Sequence, residues 1–481
     1  MVLTAESETG VQAQNIAAAL ARLRAGFAAD PFPSKAVRKD RLTRTMALLA
    51  ESKEQICATV DADYGGRSRT QTAIADVFVT IEALRHARDH LGRWMKPERR
   101  PLPWYLAAAG ARAAVMPHPL GVVGIIGPWN FPINLLLSPL AGVFAAGNRA
   151  CLKPSELTPR TAALLEELIP KYFAAEELSV VSGGPEVGEA FCAAGFDHLL
   201  YTGGGRVAAK ILAAAAPTLT PVTLELGGKS PVFVGRSANV RDAARRIVGG
   251  KLLNMGQACI APDYVLAQAS MARQLSEQFI RAAQEFTPAA RNNPDVSAII
   301  NAAHYNRIDG LVQEAVRAGA TLLVSDRTRG GDDRRMPITV LLDPPDDARI
   351  MREEIFGPVL VVRSYADVDD AIGFIQDRAP PLAVYYFGRD RTEEKALRAA
   401  TRSGAFVIND VVMQYTVEDL PFGGVGQSGM GAYHGRDGFR RFSTARAIYQ
   451  QSPFDLAALV RPPFAQRKQR LFDALIRWRA R

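Results

Sequence analysis

The sequence predicts an α/β protein with two parallel sheets, and three observations carry that expectation. From residue 119 short apolar runs alternate with helical stretches, from residue 230 a second such series begins, and residues 11–95 before them read as mostly helical. Buried strands alternating with helices form right-handed βαβ units, whose strands lie parallel.

Taken in order, residues 11–95 place apolar side chains at helical spacing (Leu42, Met46, Leu49; Val77, Ile81, Leu84), as helices with one buried face do. Pro101–Met116, apolar around Ala109-Gly110-Ala111, is expected to project as a hairpin. The first series sets strands at Leu120–Ile126, Arg149–Leu152, Leu178–Val181 and His198–Thr202, with helices over 138–147, 158–168, 185–193 and 205–215. Asn130, Lys153, Ser182 and Thr202 stand at or just after those strand ends, the edge where open α/β sheets bind ligands. The second series sets strands at Ser230–Val234, Asp263–Leu266, Thr321–Val324, Val359–Val362, Leu382–Phe387 and Ala405–Asn409. Ser325–Asp333, polar with a double glycine, reads as an exposed loop.

At 481 residues the chain has room for two or three domains. Its 48% hydrophobic and 22% charged residues suit a soluble globular protein. Met1–Glu8 contains no basic segment leading into an apolar run, so no secretory signal is expected. No apolar stretch is long enough to span a bilayer. The four cysteines, Cys57, Cys151, Cys192 and Cys259, are far apart, which suits a reducing cytoplasm and a free thiol better than a disulfide framework. Residues 461–481 hold seven Arg or Lys and one Asp, so most of the +9 net charge lies in a tail. No basic-aromatic interleaving elsewhere suggests nucleic acid.

The chemistry is carried by three segments. Cys259 lies in Asn254-Met255-Gly256-Gln257-Ala258-Cys259, Glu225 in Leu224-Glu225-Leu226-Gly227-Gly228-Lys229, and Asn130 in Gly127-Pro128-Trp129-Asn130-Phe131-Pro132. A thiol, a carboxylate and an amide donor can serve as nucleophile, base and oxyanion stabiliser in acyl chemistry. Each also has a structural reading: a packed cysteine, a solvated acid, a turn asparagine. Leu224 and Leu226 put Glu225 on a strand entering the core, where an unpaired carboxylate is costly and its pKa rises toward that of a general base. Gly227-Gly228 permits close approach of a planar ligand. His86 and His90 lack an intervening Glu and read as an exposed helix face rather than a metal site.

These segments resemble the aldehyde dehydrogenase superfamily, over nearly the whole chain. The block Leu420-Pro421-Phe422-Gly423-Gly424-Val425-Gly426 followed by Ser428-Gly429-Met430-Gly431-Ala432-Tyr433-His434-Gly435 is similar to its class 3 and coniferyl aldehyde dehydrogenase branches. The resemblance implies a variant Rossmann cofactor domain (1–100 and 118–225), an α/β catalytic domain (226–408), a β oligomerisation arm (101–117 and 409–447) and a basic tail (448–481). It implies Cys259 as nucleophile, Glu225 as activator of the deacylating water, and Asn130 with the Cys259 N–H as oxyanion holders. For the cofactor it implies Lys153 and Glu156 at the adenosine ribose, Gly203 and Gly204 near the pyrophosphate, Glu354 at the nicotinamide ribose, and Phe356, Trp129 and Gly227 beside the ring. NAD is expected, with NADP tolerated because Arg206 is nearby. His434 belongs to a structural loop in this resemblance. CoA-acylating relatives need no water-activating Glu, so Glu225 argues against that alternative; a non-catalytic protein on the same fold is the other.

Apolar residues near the motifs (Phe131, Leu135, Leu136, Leu137, Met255, Met413, Tyr415, Phe422) suggest an aromatic or long-chain aldehyde, and no Arg or Lys among them suggests an acidic one. Class 3 relatives imply a homodimer built through Pro101–Met116 and Thr416–Met430. In the tail, Phe464, Leu471, Leu475 and Trp478 form a helical stripe flanked by Arg467, Lys468, Arg470 and Arg477, either a docked helix or one lying on an anionic membrane surface.

Overall fold

The computed structural model describes residues 2–290, 293–326, 334–455, 458 and 460–480, with side chains from residue 14 onward. Its strands, in chain order, are β1 (Glu98–Arg99), β2 (Arg112–Pro119), β3 (Val122–Ile126), β4 (Arg149–Lys153), β5 (Leu178–Val180), β6 (His198–Gly203), β7 (Val222–Leu226), β8 (Pro231–Val234), β9 (Tyr264–Gln268), β10 (Thr321–Val324), β11 (Thr339–Leu342), β12 (Val359–Tyr365), β13 (Ala383–Phe387), β14 (Ala405–Ile408), β15 (Gly429–Met430) and β16 (Ser443–Gln450).

They build three sheets. The first runs β15-β7-β6-β3-β4-β5, the second β10-β11-β12-β9-β8-β13-β14, and the third β1-β2-β16. In the first sheet only β15 is antiparallel, pairing Gly429 with Glu225. In the second only β10 is antiparallel to its neighbour. The buried strand β3 is apolar on both faces because helices cover both sides, and β4 is buried throughout with Arg149 and Lys153 at its ends. One core cluster unites Leu84 and Leu91 of the N-terminal helices with Val123 and Ile125 of β3 and with Val232 and Val265 of the second sheet.

The helices over 185–193 and 205–215 and the strand Thr321–Val324 occur at the expected bounds. The first strand starts at Val122 rather than Leu120 because the Asn148 side chain takes the N–H groups of Leu120 (2.7 Å) and Gly121 (3.0 Å). Pro101–Met116 is not a simple hairpin: a short helix, Trp104–Ala108, precedes β2, whose full-length partner is β16 from the far end of the chain. Pro101 and Pro103 lack the N–H groups a paired strand needs. Of the loop expected at Ser325–Asp333, residues 327–333 lie outside the described residues.

A π-helical stretch, Ala73–Phe78, interrupts the helical run between Arg69 and Trp94 and carries Asp76, which is fully buried. Such stretches often mark functional sites. His86 and His90 are half-buried, not exposed as expected: their rings stack 4.2 Å apart and His86 Nε2 lies 3.3 Å from Asp419. The helix Val79–Trp94 packs this face against the segment 416–419, which joins it only in three dimensions.

Candidate active site

Asn130 follows β3 in a loop held from several sides. Its backbone carbonyl accepts from Arg67 Nη1 (2.7 Å), Asn254 Nδ2 (2.9 Å) and Tyr64 Oη (3.0 Å). Its buried side chain donates through Nδ2 to the Gln257 carbonyl at 3.1 Å. A carboxamide nitrogen has two N–H groups, so one bond to Gln257 leaves a second donor.

The loop bearing Cys259 follows the helix Val240–Leu252 through three consecutive left-handed residues, Asn254 (φ 48°), Met255 (φ 52°) and Gly256 (φ 72°). Gly256 is required twice: its φ favours glycine, and a Cβ there would overlap the Gly357 carbonyl. Gln257 pins the turn, donating from Nε2 to Asn254 O (3.0 Å) and Ala298 O (3.1 Å) and accepting from Ile300 N–H (3.0 Å). Cys259 is partly exposed, whereas Cys57, Cys151 and Cys192 are buried. Burial first, then the Glu354 and Glu225 carboxylates, push the Cys259 thiol up to about 12, against the pull of its own N–H and that of Ile260. The thiol therefore carries its proton at neutral pH and needs a base to become a nucleophile.

Glu225, on β7, is buried with neither carboxylate oxygen hydrogen-bonded to protein. Desolvation pushes its pKa well above the usual carboxylate range. Glu354 is pushed up to about 7, by burial and then by Asp263. Its loop is held by a buried pair, Lys229 with Asp263. Lys229 also donates to Ile350 O (2.8 Å) and Glu353 O (2.9 Å), and Asp263 accepts from Ile355 N–H (2.8 Å). A Cβ on Gly227 would overlap the Glu354 carboxylate, so the glycine lets that acid lie against the strand end. Phe356 (φ 50°) meets Trp129 edge-on at 5.3 Å.

At the carboxyl edge of the first sheet, Lys153 donates to Gly183 O (2.9 Å), Pro154 O (3.2 Å) and Glu156 Oε2 (3.3 Å). Ser182 Oγ and Thr202 Oγ1 are buried there without a protein partner. Gly203 lies under the Tyr201 hydroxyl, where a Cβ would overlap it; around Gly204 and Gly205 the space is open. Gly204 begins the helix Gly205–Ala215 with no side-chain cap, leaving its first N–H groups for an anion. Orphaned hydroxyls, an uncapped helix start and a lysine–glutamate pair on one edge fit a dinucleotide.

Of the apolar residues, Phe131 packs with Leu135, Ala258 and Ala261, and Tyr415 lies against them. Tyr415 meets Phe422 edge-on at 4.9 Å. Leu136 and Leu137 are buried in the main core. Met255 is also there, and Met413 is on the surface, so neither joins that cluster. His434 is buried among Tyr415, Phe422 and Tyr433. Burial lowers it to about 3, so it is neutral and no strong base. No group of three or more His, Cys, Asp or Glu suited to a metal occurs among the described residues. Sequence reasoning missed Tyr64, Arg67 and Asp76, which approach Asn130 from more than 50 positions away and give no local signal.

Nucleophile, acid and amide donor thus converge beside an edge suited to a dinucleotide, and comparison with known proteins agrees. The model of the aldehyde dehydrogenase family matches residues 6–448. The chain is 43% identical over 475 residues to a coniferyl aldehyde dehydrogenase from a Pseudomonas species, covering 97% of each chain. It is similar to the solved structure of a Staphylococcus aureus AldH in a substrate-bound state (TM-score 0.89, 33% identity, covering 95% of this chain and 98% of that one). It is also similar to a mutant aldehyde dehydrogenase C from Pseudomonas syringae complexed with NAD+ and octanal (TM-score 0.82, 29% identity, covering 92% and 90%). A family model that spans nearly the whole chain, over a fold and site of this form, means that the chain belongs to the aldehyde dehydrogenase family.

Proposed function

We propose that the enzyme oxidises an apolar aldehyde, aromatic or long-chain, to its carboxylic acid through a thiohemiacetal and a thioester on Cys259. The observation that carries this reading is the bond from Asn130 Nδ2 to the carbonyl of Gln257, two residues before Cys259, with the unpartnered Glu225 carboxyl close enough to shift the thiol. Cys259 Sγ gives its proton to solvent water and attacks the aldehyde carbon. The oxygen takes up negative charge, and the second Asn130 N–H with the Cys259 N–H stabilise it, a contribution of about 2.7–4 kcal/mol per donor. NAD+, when bound, supplies the hydride acceptor. Ionised Glu225 then takes a proton from the water that attacks the thioester, releasing the acid.

Lys153, Glu156, Gly203 and Gly204 would hold the adenosine and pyrophosphate end; Glu354, Phe356, Trp129 and Gly227 would hold the nicotinamide end. Glu156 near the ribose favours NAD+ over NADP+. We assign a cofactor domain to 1–100 and 118–225 and a catalytic domain to 226–408; the two large sheets support this partition, with β15 of 429–430 adding to the first. Phe131, Tyr415 and Phe422 provide an apolar wall. The coniferyl aldehyde dehydrogenase relative and the octanal complex support aromatic and long-chain substrates respectively. We place the enzyme in the cytoplasm as a homodimer, with β16, exposed along most of its length, and the segment 416–430 at the interface.

No described helix is long and apolar enough to cross a membrane. The helix Gln466–Arg479 buries none of its residues against the rest of the chain, and Phe464, Ile476 and Trp478 are exposed. Its basic flank supports peripheral contact with an anionic membrane surface, at about 1 kcal/mol per basic residue. A panel of aldehydes assayed with NAD+ and NADP+, on the parent enzyme and on Cys259→Ala, tests the main reading. Apolar aldehydes should give the highest kcat/KM, and Cys259→Ala should reduce no cofactor. Turnover by that variant, or a preference for charged aldehydes, would contradict it.

A further inference from the structure

Beneath the Asn130 loop, Arg67 and Asp76 form an ion pair at 2.7 Å with both side chains fully buried. The guanidinium that binds Asp76 Oδ2 through Nη2 also donates through Nη1 to the Asn130 carbonyl at 2.7 Å. Asp76 Oδ1 accepts from the N–H groups of Ile133 (3.1 Å) and Asn134 (3.2 Å). One ion pair therefore grips three backbone groups of the loop that presents the Asn130 amide. The Arg67 guanidinium also lies 5.0 Å from the Tyr64 ring and 5.1 Å from the Phe131 ring. Tyr64 Oη, itself bonded to that carbonyl, accepts from Asn254 Nδ2 at 3.0 Å, so the cluster extends to the turn before Cys259.

A buried ion pair is a poor way to gain stability, since apolar residues of like volume often serve as well or better. A planar fork can hold two acceptors at fixed angles. We infer that Arg67, oriented by Asp76, is a positioning residue for Asn130: it fixes the backbone of that loop and so the placement of the carboxamide against the Gln257 carbonyl and the developing oxyanion. The inference rests on the proposed role of Asn130. Lysine at position 67 would keep a charge beside Asp76 but could not hold both acceptors in one plane.

The test is a double-mutant cycle read in single turnover, as the rate constant of cofactor reduction with aldehyde and saturating NAD+ in the full chain. Asn130→Ala should slow it by about 100- to 1,000-fold, and Arg67→Lys by about 10- to 100-fold, as a misplaced group does. Adding Arg67→Lys to Asn130→Ala should cost less than about 3-fold further, because the group it positions is gone. The NAD+ dissociation constant should stay at the parent value throughout. Equal slowing in both backgrounds, or no slowing by Arg67→Lys, would overturn the positioning role. A parent-like rate in Asn130→Ala would overturn the oxyanion reading itself, and the inference with it. Should Arg67→Lys fail to fold, Tyr64→Phe, which removes one donor from the same carbonyl, takes its place in the cycle. Its slowing must likewise vanish in the Asn130→Ala background, and persistence there would be the contradicting result.

Discussion

The loops bearing Asn130 and Cys259 differ in kind from the carboxyl edge of the first sheet around Ser182, Thr202 and Gly204. Around Asn130 the polar groups bond to one another: its carbonyl has three donors, and both ends of the Gln257 carboxamide are used. At the edge, Ser182 and Thr202 keep their hydroxyls unpartnered by protein, and Gly204 and Gly205 have open space above them. Stabilising a transition state requires donors fixed before the reaction begins. A cofactor that arrives and leaves requires donors not already spent within the protein. The two regions divide those demands.

The largest effect is expected from loosening the turn before Cys259. Gly256→Ala introduces a Cβ that overlaps the Gly357 carbonyl at a left-handed φ, and kcat should fall by more than about 100-fold. Affinity for AMP, which would occupy only the adenosine end, should change little, because the edge around Lys153 and Gly204 is built elsewhere. Equal losses in both would mean that the regions are not separable.

A pH profile sharpens the same point. Glu225 has a pKa raised by burial, so it is protonated, and no base, below that pKa. Turnover should therefore climb as pH rises through it, at a pH above the ordinary carboxylate range. The stability sign runs the other way. An unfolded Glu ionises near pH 4.3, so the folded form's extra proton affinity stabilises it fully below that pH, and this is lost as pH rises toward the folded pKa. Glu225→Gln should accordingly raise Tm relative to the parent at pH 8 more than at pH 4, as differential scanning calorimetry would report. A Tm difference independent of pH would place Glu225 in a more polar environment than the one described.

On the cofactor side, Glu156→Gln should narrow the kcat/KM preference for NAD+ over NADP+, by up to about tenfold for 1.4 kcal/mol of relieved repulsion. It should leave the single-turnover rate with saturating NAD+ unchanged. Strict NADP+ dependence of the parent would show that the carboxylate lies elsewhere. The smallest expected effect concerns the tail: a chain ending at Val460 should retain full turnover and lose salt-sensitive co-sedimentation with anionic vesicles. Equal, negligible binding by both chains would favour a helix docked on protein.

What was legible in the sequence follows the range of the forces involved. Helices over 185–193 and 205–215 and the strand between them depend on local periodicity, and they occur where that periodicity put them, the strand longer by one residue. Asn130, Glu225 and Cys259 stood out because glycines and apolar runs frame them. β11 escaped notice because its four residues adjoin the polar stretch after β10. The pairing of β2 with β16 joins segments more than 300 residues apart, and no local pattern encodes a partner at that range. Met255 lies in the main core with Phe422, and Cys259 and Tyr415 pack against that cluster, an arrangement no local pattern shows. Arg67 and Asp76 belong to the same class: their importance lies in what they touch after folding.

In the proposed reaction Cys259 and Glu225 divide the work, the thiol forming the acyl enzyme and the carboxylate releasing it. Stopped-flow absorbance of Glu225→Gln, mixed with aldehyde and NAD+, tests this most directly. The variant should give a burst near one equivalent of reduced cofactor per site, followed by a steady rate lower than the parent's by at least about 100-fold. Full steady-state turnover by this variant, or no burst with the thiol intact, would contradict that division.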